Sequence, residues 1–148
     1  MDWNDYLTVI FGCIAAILAI IQIYQAFPKK TRLSFSEIKV IDWIAKASTI
    51  RPLTVRFRVK NSGNNDNVFE ITAKLVIFFE EKKYTFEKPD KNLKEEIKSK
   101  ESKSLALPFD IPLDYDTWNS PKVQFTYSYI RGDKIIAKNS RWEKGFKD

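Results

Sequence analysis

The chain has 148 residues, of which 30% are charged and 14% aromatic, and its formal net charge is +6. This length allows one soluble domain with its own core, and the aromatic content argues against a disordered chain. The sequence has no histidine and one cysteine, Cys13. These counts exclude Ser-His-Asp and Cys-His catalysis, an intrachain disulfide and the usual zinc sites. We therefore expect no catalytic residue, no metal, no cofactor and no enzymatic activity.

The first element is an uncharged run of twenty-two residues, 6–27. A helix of this length reaches roughly 33 Å at 1.5 Å per residue, which is enough to cross a bilayer. The run lacks the small-residue cleavage site of a secretory signal, so we expect it to be retained. We divide the chain into residues 1–28, a short tail with a transmembrane helix, and residues 29–148, a soluble domain.

Basic residues follow this run closely, and none precedes it. The positive-inside rule therefore predicts a single-pass protein of the bacterial inner membrane, with its N-terminus outside and its domain in the cytoplasm. The residues expected at the membrane interface are aromatic or basic: Trp3, Tyr6, Tyr24, Lys29, Lys30 and Arg32. The positive charge after the helix also favours anionic partners, which are nucleic acid, nucleotides or the anionic inner leaflet, although a basic surface can also serve solubility alone.

One face of the predicted helix carries small and polar residues within an arc of about 100°. This helix seam consists of Asp5, Thr8, Gly12, Ala15, Ala19, Gln22 and Ala26. Small residues let helices approach closely, and a polar side chain in lipid needs a partner or water. Three interpretations stay open: the seam packs two copies together, three to five helices surround a narrow pore, or the helix is a lone anchor. In the second, Thr8 and Gln22 line the pore and Asp5 rings its outer mouth.

The residues after the helix alternate between apolar and polar in short runs, as β-strands do. The run 31–41 changes phase at Ser36 and Glu37, which predicts a β-bulge. Residues 54–60 form the clearest strand, and Pro52 is expected to keep it from starting earlier. An Asn-rich turn then leads to a long strand at 68–80, whose far end is apolar on both faces.

The later elements are less regular. Residues 89–103 are so polar that we expect a solvated loop there in preference to a short exposed helix. The other expected elements are a hairpin return at 84–88, an edge strand at 105–111, one helical turn at 114–118, and final strands at 123–129 and 135–142. About seven short strands predict an all-β domain, either an immunoglobulin-like β-sandwich or a small barrel.

Three basic side chains, Arg56, Arg58 and Lys60, alternate with apolar ones and so share one face of a strand. Their spacing of about 6.8 Å is similar to the phosphate spacing of an extended oligonucleotide. Lys74 and Lys122 join this ligand surface if the neighbouring strands align. An exposed sheet face also favours Lys and Arg without any ligand, so both interpretations stay open.

A short tail, a helix followed by Lys29 and Lys30, and a β-domain together resemble the plan of small membrane effectors of bacterial anti-phage defence. The layout is similar to the channel-forming effector of the Hailong system and to the β-barrel effector of cyclic-oligonucleotide systems. The resemblance implies a nucleotide signal, made by a partner nucleotidyltransferase and sensed by the β-domain. It carries over no site residue.

We therefore predict a homo-oligomeric inner-membrane effector that forms a helix-lined ion channel. An anionic nucleotide or oligonucleotide on the cytosolic domain is expected to control it. One alternative is a membrane-tethered β-sandwich module that recruits a protein partner and conducts no ions. Another is an accessory subunit or toxin of a membrane complex.

Overall fold

The computed structural model describes residues 2–26, 31–42, 50–79, 81–112 and 119–147. The chain forms two compact units, Met1–Lys30 and Thr31–Asp148. The first contains a helix and the second contains only β-strands among its described elements. The predicted fold class, one N-terminal apolar helix followed by an all-β domain, is therefore confirmed.

Helix α1 spans Trp3–Ala26 without interruption. Its stretch Trp3–Gln25 has a mean hydropathy of 2.4 and is long and apolar enough to cross a membrane. The helix starts earlier than predicted because its polar first turn is capped: the backbone N–H of Asp2 donates to the Asp5 carboxylate at 3.0 Å. That carboxylate also lies near the positive end of the helix dipole.

The β-domain is built from two sheets that enclose one core. The four-stranded sheet has the order β10-β1-β2-β6, and the six-stranded sheet has the order β4-β3-β7-β8 with β5 paired to β3 and β9 to β7. The described strands are β1 Leu33–Asp42, β2 Ile50–Asn61, β3 Asn67–Phe79, β4 Lys82–Phe86, β5 Leu93–Ile97, β6 Ser102–Pro112, β7 Asn119–Arg131, β8 Lys134–Asn139, β9 Glu143–Lys144 and β10 Phe146–Lys147.

The core follows from the period-two alternation of the strands. Phe57, Phe69 and Phe125 are its largest fully buried side chains. Phe35 stacks on Phe125, with ring centroids 4.2 Å apart and an interplanar angle of 7°. Burying each such side chain contributes about 1.5–3 kcal/mol. This aromatic cluster joins β1 and β2 of one sheet to β7 of the other.

The predicted bulge is confirmed in β1, where the pairing register with β2 shifts between Ser36 and Lys39. Glu37 sits in the bulge with φ 52°. The extra residue returns Ile38 and Val40 to the buried face after Leu33. The far end of β3 is also covered as predicted, since Val76 is buried on the face opposite to Leu75 and Ile77.

One predicted strand limit is wrong, and one strand was not predicted. Pro52 lies inside β2 and pairs with Asp110 of β6. The pairing of β1 with β2 reaches only as far as Leu53, so the missing N–H of Pro52 costs no bond to β1. Residues 93–97 form strand β5 on β3 instead of a loop or helix, because Ile97 is fully buried at its end.

The C-terminal segment crosses from one sheet to the other at Gly145. β9 pairs with β7, whereas β10 pairs in parallel with β1. The Gly145 N–H donates to the Pro121 carbonyl at 2.6 Å. A Cβ at this position would lie 3.0 Å from Cγ2 of Val40 and 3.3 Å from the Pro121 oxygen, so only glycine fits without movement. The helical turn predicted at 114–118 lies outside the described residues.

Candidate anion-binding site

The predicted basic residues Arg56, Arg58 and Lys60 stand in a column on the outer face of the four-stranded sheet. They are exposed, whereas their neighbours Val55, Phe57 and Val59 are buried. Strand β2 lies between β1 and β6, so the column runs along an inner strand of the sheet. Alternate residues of a strand repeat about every 6.8 Å, which sets the spacing between the charges.

Short side chains border Arg58 and Lys60 of this basic column on both sides and Arg56 on one side. Lys60 pairs with Ser34 and Ser102, and Arg58 pairs with Ser36 and Ser104. Arg56 pairs with Ala106 on one side and with Lys39 on the other. The long cationic side chains therefore stand above shorter neighbours, with serine hydroxyls on both sides of the column. Such hydroxyls and guanidinium groups are common partners of phosphate oxygens.

The charges of the column are only partly neutralised. The Arg58 guanidinium lies 2.9 Å from the Glu37 carboxylate, and both side chains are about half exposed. In the described ranges, no carboxylate pairs with Arg56 or Lys60. An incoming anion would therefore compete with one carboxylate, Glu37, at the middle of the column.

Lys74 and Lys122 do not join this surface. They lie on β3 and β7 of the six-stranded sheet, on its outer face, so the core separates them from the column. Lys74 lies 2.5 Å from the Glu87 carboxylate, and this contact lowers the pKa of Glu87. The Lys122 ammonium lies 5.8 Å from the Phe78 ring centroid. The strands of Lys74 and Lys122 are therefore not neighbours of β2, and the two lysines do not share a surface with Arg56, Arg58 and Lys60.

A cleft of about 440 Å³ opens at the β1 edge, next to the end of the basic column. Phe35 and Tyr127 supply aromatic lining, and Arg32 and Arg141 supply positive charge. Ser34 belongs to both features, because it lines the cleft and pairs with Lys60. The Arg141 Nε donates to the Glu143 carboxylate at 2.8 Å, which raises the pKa of Arg141.

This cleft is a feature that the sequence did not indicate. Residues 139–143 reach it because Ser140 anchors them to β7. The Phe125 N–H donates to the Ser140 hydroxyl at 2.9 Å, and the Ser140 N–H donates to the Phe125 carbonyl at 2.8 Å. No periodic pattern marks this segment, so only the fold brings Arg141 near Arg32.

The helix seam lies on one exposed face of a continuous helix. The Thr8 hydroxyl donates to the Asn4 carbonyl at 2.9 Å, within the helix. The Gln22 amide has no hydrogen-bond partner in the described part of the chain, and a Cβ on Gly12 would meet open space. Asp5, Ala15 and Ala19 complete the described seam; the side chain of Ala26 lies outside the description.

The predicted interface residues are distributed over both units. Trp3, Tyr6 and Tyr24 are exposed on α1. Lys29 and Lys30 lie outside the described residues. Arg32 belongs to the β-domain and lines the cleft.

Carboxylates do not gather into a metal-binding group among the described residues. Asp110 and Asp90 hydrogen-bond each other, and this bond raises the pKa of Asp110 above its ordinary value. The two lie at the surface, on β6 and in the β4–β5 connection.

No protein-family model matches the sequence, and a comparison with curated proteins found no match. Among solved structures, the chain is similar to the putative ApaA protein from Bordetella pertussis, with 10% identity, a TM-score of 0.47 and coverage of 80% of this chain and 96% of that one. It is also similar to the sporulation control protein Spo0M from Bacillus subtilis, with 15% identity, a TM-score of 0.28 and coverage of 76% of this chain and 50% of that one. Neither similarity identifies a function.

Proposed function

We propose that this protein is a homo-oligomeric effector of the bacterial inner membrane whose cytosolic β-domain binds an anionic nucleotide or oligonucleotide. The observation that carries the proposal is the column Arg56, Arg58 and Lys60. Two of its three cations have no carboxylate partner in the described ranges, and all three side chains are exposed. Phosphate groups of a ligand bind along the column and displace Glu37 from Arg58.

The adjoining cleft is the place that we assign to the base of a nucleotide. Tyr127 is buried and Phe35 is half-buried against Phe125, so a base in the cleft contacts the exposed part of the Phe35 ring. Ser34 connects the cleft to Lys60, since the two residues pair across neighbouring strands about 4.8 Å apart. A single ligand thus places phosphates along the basic column and a base in the cleft.

The helix seam supports the membrane half of the proposal. The Gln22 amide and the open Gly12 position favour contact with further copies of α1. Three to five copies with their seams inward line a narrow pore. The ligand acts by binding the open and closed states with different affinity, as any gating ligand must. In the defence setting, a partner nucleotidyltransferase supplies this ligand.

The test is ligand binding by the full chain in detergent, measured by anisotropy of a fluorescent single-stranded RNA hexanucleotide. Charge reversal of Arg56 and Lys60 to Glu is expected to weaken binding by at least tenfold. Reversal of Lys74 and Lys122 to Glu, the matched pair on the other sheet, is expected to leave it unchanged. The affinity should fall with salt, with a slope of about −0.7 per phosphate contacted.

Equal loss of affinity in both charge-reversed variants would reduce the binding to general attraction by a basic protein. Unchanged affinity after reversal of Arg56 and Lys60 would remove the column from the site. Binding without any ion flux would instead favour the second candidate, a tethered module that conducts no ions.

A further inference from the structure

One end of the β-domain contains the start of β1 and three turns. The side chain of Asn61 is buried at this end. This Asn61 end comprises residues 31–33 and the turns 62–66, 98–101 and 131–134. The Asn61 amide donates to the Asn65 carbonyl at 2.7 Å and to the Ile97 carbonyl at 3.2 Å. The Ser62 N–H donates to the Arg32 carbonyl at 2.9 Å. These bonds join the turn 62–66 to Arg32 and to the end of β5.

Three aliphatic side chains are exposed next to this end, on the outer face of the six-stranded sheet. Ile130 and Ile135 pair across the β7–β8 hairpin and are 59% and 77% exposed. Val68, on β3, is 41% exposed. The Asn67 side-chain amide donates to the Ile130 carbonyl at 2.9 Å and so fixes the hairpin to β3 beside Val68. The outward apolar row has no cover among the described residues.

Charged residues of both signs surround this apolar row. Arg131 and Lys134 pair at the hairpin tip, next in sequence to Ile130 and Ile135. Neither is in an ion pair with any residue that the structure describes. Lys98 and Lys100 occupy the β5–β6 turn of the same end. Asp66 and Glu101 accept backbone N–H groups from Ser99 and Lys98, both at 2.7 Å, whereas the exposed carboxylates of Glu96 and Asp133 lie beside Val68 and in the hairpin turn.

We propose that the Asn61 end docks on an anionic phospholipid surface, with Ile130 and Ile135 in the interfacial layer and Arg131 and Lys134 on lipid phosphates. Exposed aliphatic side chains next to cations without an ion-pair partner, here Arg131 and Lys134, are typical of interfacial membrane contacts. Only residues 27–30 separate Thr31, at this end, from Ala26, the last residue of α1. A bilayer that holds α1 is therefore the surface nearest to this end along the chain.

The size of the row favours lipid over a protein partner. A stable protein interface buries about 800 Å² on each side, which three aliphatic side chains do not provide. A domain tethered to a membrane needs far fewer contacts, because the tether raises the effective concentration of the lipid surface. This docking does not depend on ligand binding at the basic column, which lies on the other sheet.

The experiment uses the full chain in lipid nanodiscs with Cys13 replaced by Ala, so that one added cysteine carries an environment-sensitive NBD label. The labelled sites are Ile135→Cys and, as the matched control, Lys82→Cys at the start of β4, at the other end of the six-stranded sheet. Quenching is measured with doxyl-labelled lipid and with aqueous iodide, in phosphatidylglycerol discs and in phosphatidylcholine discs.

In phosphatidylglycerol, doxyl lipid is expected to quench the label at 135 at least threefold more than the label at 82, and iodide is expected to quench it less. Arg131→Glu with Lys134→Glu should lower the docked population about tenfold, as should phosphatidylcholine discs. Equal quenching at both sites in phosphatidylglycerol overturns the proposal. Protection from iodide without quenching by lipid also overturns it, because a protein surface then covers the row. Lipid quenching that is the same in both lipids and after charge reversal overturns the anionic assignment.

Discussion

The Arg58 guanidinium and the Glu37 carboxylate lie 2.9 Å apart, across the bulge that interrupts β1. Glu37 reaches this position because the extra residue of the bulge adopts φ 52° and its side chain points away from the core. The same irregularity that restores the buried alternation of β1 thus places one negative charge against the middle of the basic column. The Glu37 carboxylate competes with any anion that binds Arg58.

Removal of this competitor is expected to tighten anion binding. Glu37→Gln keeps the size of the side chain but leaves Arg58 without a counter-charge, so the affinity for the RNA hexanucleotide should rise about two- to fivefold. The measurement is the same anisotropy titration. Glu87→Gln, which frees Lys74 on the other sheet, is the matched control and should have no effect. Weaker binding by Glu37→Gln would contradict the assignment of the column.

The helix seam predicts a specific dependence of self-association on Gly12. Gly12→Leu fills the place where a second helix approaches, so the oligomer in detergent should shift toward monomer. Cys13→Leu adds bulk at the neighbouring position outside the seam and should leave the oligomer intact. Crosslinking and mass photometry report the distribution of species. The same distribution for both variants would show that the helices do not pack through this seam.

Asn61 is expected to dominate the stability of its end of the domain. Asn61→Ala removes two donated bonds and the acceptor for the Gly63 N–H at 3.0 Å, inside a fully buried site. The free energy of unfolding should fall by about 2–4 kcal/mol. Asn67→Ala, which loses one exposed bond to Ile130, should cost less than about 1 kcal/mol. Thermal denaturation of the full chain in detergent compares the two; an equal loss would refute the special role of Asn61.

Gly145→Ala tests the close crossing between the sheets. The added methyl group meets Val40 and the Pro121 carbonyl, so the free energy of unfolding should fall by about 1–3 kcal/mol. Ala137→Ser, at an exposed position of β8, serves as the surface control in the same denaturation experiment. An unchanged midpoint for Gly145→Ala would mean that the crossing has room to adjust.

Alternation alone was enough to predict the main strands, because each has one buried face. Phe57 between Arg56 and Arg58 is the clearest case, and the bulge at Glu37 was visible as a change of phase. Strand β5 was missed since only Leu93 and Ile97 mark its inner face among many charges. Its identity depends on pairing with β3, which is a non-local interaction.

The basic column was predicted from one strand, but its surroundings were not. Which residues flank Arg56 and Lys60 depends on the register with β1 and β6, and the sequence does not encode register in any short pattern. For the same reason Lys74 and Lys122 were assigned to a surface that they do not share. The cleft was missed because Arg32 and Arg141 come from opposite ends of the β-domain sequence.

The central claim is that ligand binding at the basic column controls a pore lined by the helix seam. Its most direct measurement is potassium flux from liposomes that contain the purified protein, with and without the RNA hexanucleotide. A ligand-dependent change in flux is predicted for the wild type and for Gln25→Leu, which lies outside the seam. Gln22→Leu should alter the flux itself, and Arg56→Glu with Lys60→Glu should remove the response to ligand. Liposomes that stay impermeable in every condition, or a Gln22→Leu variant that conducts like the wild type, would contradict the account.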